Sequence, residues 1–541
     1  MMDSDVLIVG AGPTGLTLAI DLGRRGVRCT LIEQKPEPAF LPKMERINAR
    51  SMEVYRRMGL SGKIRAAGLR ADCPMDVYIV LSLTRPPLLH LAYPSVAQAQ
   101  AQTRATNDGT LPLEPYQLIS QYTLEPLLKS VAEGIPAVTV QFGCEFLSLR
   151  QDAEGVTARV RNAKTGEKGG EAEIRAAYLV GCDGGASLVR RELDIDLSGE
   201  GNLLALRQAL FRCDELFAKL PIGNGPGRGR HYHVADDKAT FLIMQDSTKH
   251  WTLHSMRDSD EEMKGAFERT VGIPVAYEML SCAPWRQNLL LADRYGKDRV
   301  FIAGDAAHLV IPTGGLGMNS GVGDAIDLSW KLAATLAGWG GPKLLKSYEV
   351  ERRQIGERNV GASRYATIGR RKWRTMWRPN IAEDSAAGAE ARKNLSVVAD
   401  VEQRKSNEMI GAELGYRYVD SPVVCNIPGG PEHLFREYHP TTWPGARLPH
   451  LWLNDGAAMQ DRIPDGYCIL KLGGTEADAH GLEHAIRARG APVTVLEIPD
   501  RVAREIYGYD LILLRPDLHV VWRGNAAPDD LARVAAIATG H

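Results

Sequence analysis

The stretch Val6-Leu7-Ile8-Val9-Gly10-Ala11-Gly12-Pro13-Thr14-Gly15 narrows what the start of this chain can fold into. Four apolar residues read as a buried strand, the glycines as a tight turn, and Thr14–Arg25 as a helix. A second strand, Cys29–Glu33, follows and ends on an acid. This is a βαβ start in which each glycine has its own reason. Gly10 permits the tight turn, Gly12 lets a pyrophosphate approach backbone N–H groups, and Gly15 lets the helix pack close to the strand. The helix N-terminus attracts phosphate charge, and Glu33 accepts hydrogen bonds from ribose hydroxyls while disfavouring a 2′-phosphate. The expectation is an ADP-containing cofactor.

At 541 residues the chain has room for two to four domains of roughly 100–200 residues each. A formal net charge of -1 argues against general attraction to nucleic acid or to an anionic membrane. The basic run Arg370-Arg371-Lys372 reads as a solvated surface. The eight cysteines are scattered and none forms CxxC, so neither a zinc ribbon nor a dithiol pair is signalled, and no metal is expected. Reduced thiols point to a cytoplasmic protein, and no signal-peptide pattern precedes the first strand. No apolar run approaches the ~18 residues of a membrane span.

The fold class expected is α/β. A Rossmann-like nucleotide domain takes residues 1–75, 116–195 and 294–345. A mostly antiparallel sheet is interleaved with it, from 76–115 and 196–293. Within 76–115 the Ala/Gln-rich QAQAQ at 98–102 reads as a loop or insertion. Residues 346–430 read as a helical region and linker. Strand and helix then alternate again over 431–541, a compact domain of its own.

A second glycine-rich block, GDAAHLVIPTGGLGMNSGVGDA at 304–325, lies far from the first. A simple NAD dehydrogenase has no need of it. With GAGPTG at 10–15 and CDGGASLVRR at 182–191 it completes a set of three motifs in order. Together they resemble the FAD-dependent aromatic hydroxylases, the single-component flavoprotein monooxygenases. KMERINARSMEVYRRMGL at 43–60 and ISQYTLEPLL at 119–128 extend the likeness. LILLRPDLHVVWRG at 511–524 is similar to the end of the thioredoxin-like domain of the phenol-hydroxylase branch.

The resemblance implies FAD, held by Gly10, Gly12, Pro13, Thr14, Gly15, Glu33 and Gln34. Arg46, or Arg50 as its alternative, Gln121 and Phe146 are further implied contacts. Asp183 and Gly184 match a segment that serves both FAD and the nicotinamide cofactor, with Arg190 helping the latter. Gly304 and Asp305 would hold the ribitol, and His308 would support the turn. Gly315, Leu316, Gly317, Met318 and Asn319 would run along the flavin ring. The resemblance also implies NADH or NADPH as a transient co-substrate bound in a groove without a Rossmann domain of its own, and the sequence, with no second GxGxxG, is consistent with that. The implied cycle hydroxylates a phenol-like ring with O2 through a flavin C4a-hydroperoxide. Pro312 would lie near the oxygen-reacting carbon. A base or proton relay would come from the middle sheet, where Arg207, His231, Tyr232, His233 and His254 are candidates, and Trp251 and Trp285 are candidate pocket walls. A homodimer is expected, with the C-terminal domain structural and its Cys468 in the core. Two rival readings are another flavin redox enzyme of this fold, such as an oxidase or epoxidase, and a catalytically inactive FAD-binding scaffold.

Overall fold

Four neighbouring strands, Val300–Ile302, Glu171–Gly181, Ser4–Val9 and Cys29–Glu33, run parallel, and Val138–Phe142 adds a fifth. The structure is a computed structural model that describes residues 2–162, 170–220, 222 and 230–541. Val6, Leu7 and Ile8 are buried because both faces of a parallel sheet are covered. The register sets Val9 beside Gly181, and Gly181 beside Ile302. All three glycine-rich motifs therefore leave the same edge of one sheet from adjacent strands. In an open parallel sheet that carboxyl edge is where the ligand crevice forms.

A second sheet has seven strands in the order Glu278–Arg286, Ala205–Arg212, His250–Ser255, Phe241–Met244, His231–Val234, Val77–Val80 and Leu89–Leu91. The strand pairings are antiparallel except that between His231–Val234 and Val77–Val80. One face packs on the helix Asp260–Val271 through Ala209, Phe211, Tyr232, Leu242, Trp251 and Leu253. Side chains alternate along a strand, so Gln208, His231, His233, Phe241, Thr252 and His254 take the opposite face. That face meets the segment that follows the Cys29–Glu33 strand: Gln208 donates to the Pro42 carbonyl at 2.7 Å, and His231 lies 2.8 Å from Glu45.

Residues 76–115 are more ordered than their sequence suggests. They give two strands of the second sheet and a helix, Val96–Ala105, that contains QAQAQ. Ser95 and Gln98 form a reciprocal capping box at its start, and Ala and Gln favour helix once it is nucleated.

The helix Gly317–Leu336 lies against Pro13–Arg24 and is backed by the 33-residue helix Pro342–Arg374. The latter runs on to the second sheet, where Trp373 is buried beside Ile79 and the helix Ala386–Asn407. Among the described residues no helix is long and apolar enough to cross a membrane.

The C-terminal sheet has the order Val493–Ile498, Tyr467–Leu472, Leu511–Leu514, Val520–Gly524, with only the first pair parallel. This is the arrangement of a thioredoxin-like sheet. Cys468 is fully buried in it, and burial pushes its thiol up to about 12. Buried ion pairs fasten this domain to the rest. Arg447 pairs with Glu53, and Arg515 contacts Asp327 at 2.8 Å and Glu351 at 2.5 Å. Lys331 contacts the same two carboxylates at 2.6 Å each.

Candidate functional site

The three motif loops touch one another, and the contacts leave no room for side chains. A Cβ on Gly10 would lie 2.4 Å from the Cys182 carbonyl oxygen, and one on Gly15 would lie 2.0 Å from the Gly10 oxygen. Thr14 is the meeting point of the first and third motifs. Its Oγ1 would be 2.6 Å from a Cβ on Gly304 and 2.2 Å from one on Gly321. Gly12 is the contrast, because a Cβ there meets nothing within 4 Å. Gly12 is also the N-cap of the Pro13–Arg24 helix, which has no side-chain cap and no acid in its first turn. Bare N–H groups thus face open space at a helix N-terminus. Glu33 closes the turn, accepting from Ala11 N and Lys35 N at 3.0 Å each.

Asp183 accepts from the backbone N–H groups of Leu188 and Val189, at 2.7 and 3.1 Å, while its other carboxylate oxygen is buried without a partner. Arg190 donates to the carbonyls of Ala306 and Gly185. It ties the second motif to the third and does not reach into open space, so its expected contact with the nicotinamide cofactor is not supported by its placement.

Asp305 points into the cleft. Its carboxylate is reached by solvent yet ringed by protein, and accepts no hydrogen bond from a described residue. Burial raises its carboxyl, with His308 and Lys43 opposing. His308 is turned the other way and is buried, with Nε2 2.7 Å from Asp324. Asp324 also accepts from Gly304 N at 3.0 Å and from Arg352 Nε at 2.7 Å. This buried group holds the Gly304–Asp305 turn in place from behind.

The third motif continues through Pro312, which is exposed, to Gly314 and Gly315, which have φ of 95° and 67°. Gly315 N donates to the Pro312 carbonyl at 2.9 Å. The helix then starts at Gly317 with no side-chain cap and no acid in its first turn. Asn319 pins the loop, donating to Gly315 O at 2.7 Å and Arg46 O at 3.1 Å, and accepting from Asn48 N. Leu316 is buried against Ala362, Ala366 and Met409, and Met318 packs on the main core.

The remaining wall is the free face of the second sheet. Phe241 and His254 stack with ring centroids 4.5 Å apart, and Trp285 meets His254 edge-on at 6.0 Å. His233 contacts the Gln403 side chain through Nε2 at 3.2 Å, and Nδ1 of both His233 and His254 is buried without a partner. Burial, reinforced by nearby arginines, holds His231 down at about 4, and burial holds His254 at about 3. Burial alone would raise the Glu45 carboxyl, but His231 and Arg230 bring it to about 2.

A family model described as FAD binding domain matches residues 3–363, and a second, aromatic-ring hydroxylase C-terminal, matches 441–541. The chain belongs to the FAD-binding aromatic-ring hydroxylase family. It is 32% identical to the FAD-dependent monooxygenase apdD of Emericella nidulans, over 99% of this chain and 90% of that one. It is 29% identical to 2,4-dichlorophenol 6-monooxygenase of Cupriavidus pinatubonensis, over 98% of this chain and 95% of that one. The solved structure of chromopyrrolic acid-soaked RebC with bound 7-carboxy-K252c superposes with a TM-score of 0.90 at 30% identity, covering 100% of this chain and 99% of that one.

FAD fits the crevice of this hydroxylase on three observations. The space beyond Gly12 is open, Asp305 has no hydrogen-bond partner among the described residues, and both glycine-loop helices begin uncapped. Gln121 opens the helix Gln121–Glu133 beside Met44, and its amide donates to Glu125 at 2.6 Å. Gln34 is exposed just past Glu33. Arg46 is close to the flavin-loop glycine but already pairs with Glu413 at 2.6 Å.

Other expectations are not met by placement. Arg50 turns to the C-terminal domain and donates to Asp517 O at 3.0 Å, so it is not an alternative for Arg46 at the crevice. Phe146 is buried in the main core, where packing accounts for it. Arg207 and Tyr232 lie on the face of the second sheet that packs on the Asp260–Val271 helix. Arg207 pairs with Asp260, and Tyr232 is fully buried. Trp251 is likewise core. Alternation gave these residues one face together but did not say which face a helix would cover. Glu45 and Asp324 are functional neighbours that the sequence analysis missed. Both lie inside segments it quoted, but their partners His231 and His308 are identified only in three dimensions.

Histidines held neutral by burial make the fold acid-sensitive. His231, His254 and His519 sit at about 4, 3 and 4, below their unfolded value of about 6.5. Between those values the unfolded chain binds more protons, so stability present above pH ~6.5 is lost as pH falls through ~4. The thermal midpoint is expected to fall across that window, each histidine contributing up to about 1.4 kcal/mol per pH unit. A midpoint that stays flat from pH 6.5 to 4 contradicts this.

Proposed function

We propose that this protein hydroxylates a phenolic or related aromatic ring with O2, using electrons that NADH or NADPH delivers to FAD. The observation that carries the reading is that one segment, Pro42–Arg46, touches both the uncapped start of the Gly317 helix and the aromatic-lined sheet face: the Arg46 carbonyl accepts from Asn319, while Gln208 and His231 reach Pro42 and Glu45. Reduced FAD, when bound, supplies the electrophilic oxygen derived from O2. The residues of the chain supply the rest. Gly10, Gly12, Pro13, Thr14 and Gly15 hold the pyrophosphate, Glu33 the adenosine ribose, and Asp305 a ribitol hydroxyl. Gly315 to Asn319 carry the flavin ring on bare backbone. The N–H groups at the start of the Gly317 helix favour negative charge on the ring edge they face.

Phe241, His254 and Trp285 form a wall that keeps water from the reacting ring. His254 is neutral and its Nδ1 has no partner among the described residues, so in the tautomer protonated at Nε2 this nitrogen accepts a hydrogen bond from a substrate hydroxyl. Negative charge developing on the phenol raises the basicity of that imidazole, and the phenolate directs oxygen to its ortho and para carbons. The relative named 2,4-dichlorophenol 6-monooxygenase is named for a reaction of this class.

The test is oxidation of NADH and NADPH by the FAD-loaded enzyme across a panel of mono- and polycyclic phenols, with isotopically labelled O2. One class of phenol is expected to stimulate oxidation and to gain a single labelled oxygen atom. If the enzyme holds FAD and no phenol stimulates oxidation above background, the reading fails.

A further inference from the structure

The basic run at 370–372, which reads as surface in the sequence, puts its first residue into the cleft. Arg370 is only partly exposed, and its guanidinium lies over the Phe241 ring, 5.3 Å from the centroid. It forms no hydrogen bond or ion pair with any described residue, and its Nε is buried without a partner. The other arginines around the cleft are matched. Arg230 has Glu45 at 3.1 Å, Arg46 has Glu413 at 2.6 Å, and Arg374 has Asp236 at 3.8 Å and two carbonyls. The neighbouring histidines are neutral, so they add no compensating charge or excess. One positive charge is thus left over on the cleft wall, and burial together with Arg374 depresses the guanidinium to about 9. A partly desolvated cation of this kind gains most from an anionic ligand that supplies two acceptor oxygens to its planar fork.

We propose that Arg370 is a specificity-determining residue that binds a carboxylate on the aromatic substrate. The proposal rests on the hydroxylase reading above and deepens it by naming the substrate class. The helix sets the distance. Ser363, two turns earlier on the same face, donates to the Ile311 carbonyl at 2.8 Å, next to Pro312. Seven residues of helix rise about 10 Å, so the carboxylate end lies about that far along the cleft from the flavin loop. A substrate of two or more fused rings spans this distance, with its hydroxylated ring at the loop and its carboxylate at the far end.

The test is calorimetric titration of the FAD holoenzyme, without reductant, with 6-hydroxy-2-naphthoate and with its methyl ester. The two probes differ in the anion and share the ring system. Wild-type protein is expected to bind the acid on the order of 30-fold tighter, the range of hydrogen bonds to a charged group. Arg370→Gln should bring the two within about threefold while leaving the ester unchanged, and Arg370→Lys should keep part of the preference. Flavin content of each variant reports whether the cleft is intact, and Arg370→Lys serves if Arg370→Gln loses FAD. Equal affinities in wild type, no binding of either probe, or a preference that survives Arg370→Gln each overturn the proposal. Acid binding through Arg370 with no stimulation of nicotinamide oxidation would sink the hydroxylase reading alone.

Discussion

Gly12→Asp is expected to yield a folded protein that no longer retains FAD. Gly12 has φ −71° and ψ 177°, extended backbone that any residue adopts, and a Cβ there meets nothing within 4 Å. An aspartate at this N-cap also favours the Pro13–Arg24 helix over glycine, by about a few tenths of a kcal/mol. The apoprotein should therefore melt no earlier than wild type. The new carboxylate stands where the pyrophosphate is proposed to lie, and repulsion between them should weaken FAD at least 100-fold, about 2.7 kcal/mol. Fluorescence titration of apoprotein with FAD measures this. Wild-type affinity in Gly12→Asp would remove the phosphates from this helix start. Gly15→Ala is the control with the opposite signature. Its Cβ would collide with the Gly10 oxygen at 2.0 Å, so the fold itself should lose stability.

Arg515→Ala is expected to lower the thermal midpoint by roughly 3–4 °C, from a loss of about 3–5 kcal/mol. Arg515 is fully buried and contacts carboxylates on three segments: Asp327 on the Gly317–Leu336 helix, Glu351 on the Pro342–Arg374 helix, and Asp517 of its own domain at 2.6 Å. Without it, Lys331 alone faces Asp327 and Glu351. Arg515 and Lys331 together hold the Glu351 carboxyl low, whereas burial pushes Asp327 up. The loss comes from carboxylates left unpaired and not from a missing attraction as such. Adding Glu351→Gln to Arg515→Ala should therefore recover part of it. A midpoint within about 1 °C of wild type for Arg515→Ala would show that this network does not fasten the C-terminal domain.

The crevice was more legible than the cleft. Gly10 and Gly15 are constrained by close backbone approach, Gly12 and Asp305 stand at fixed places in the same short motifs, and a motif carries that signal whatever surrounds it. The helix over 98–102 was obscured because a polar Ala/Gln run has no hydrophobic period; its signal was the Ser95–Gln98 cap. The cleft residues have no such local signature. Arg207, Tyr232, His233 and His254 alternate along strands that look alike in sequence. The difference lies in the Asp260–Val271 helix, which covers one face and leaves the other to line the cleft.

Taken alone, the sequence determined the opening βαβ unit, the three glycine loops and the cofactor they suit, because those depend on φ, on close backbone approach and on helix ends. Tertiary structure decided which side chains meet across them. It set Glu45 against His231, Asp324 behind His308, Arg50 and Arg515 into the domain interface, and Arg370 inward from a basic run. Those outcomes depend on burial and on charge pairing between segments hundreds of residues apart, and neither is written in local spacing.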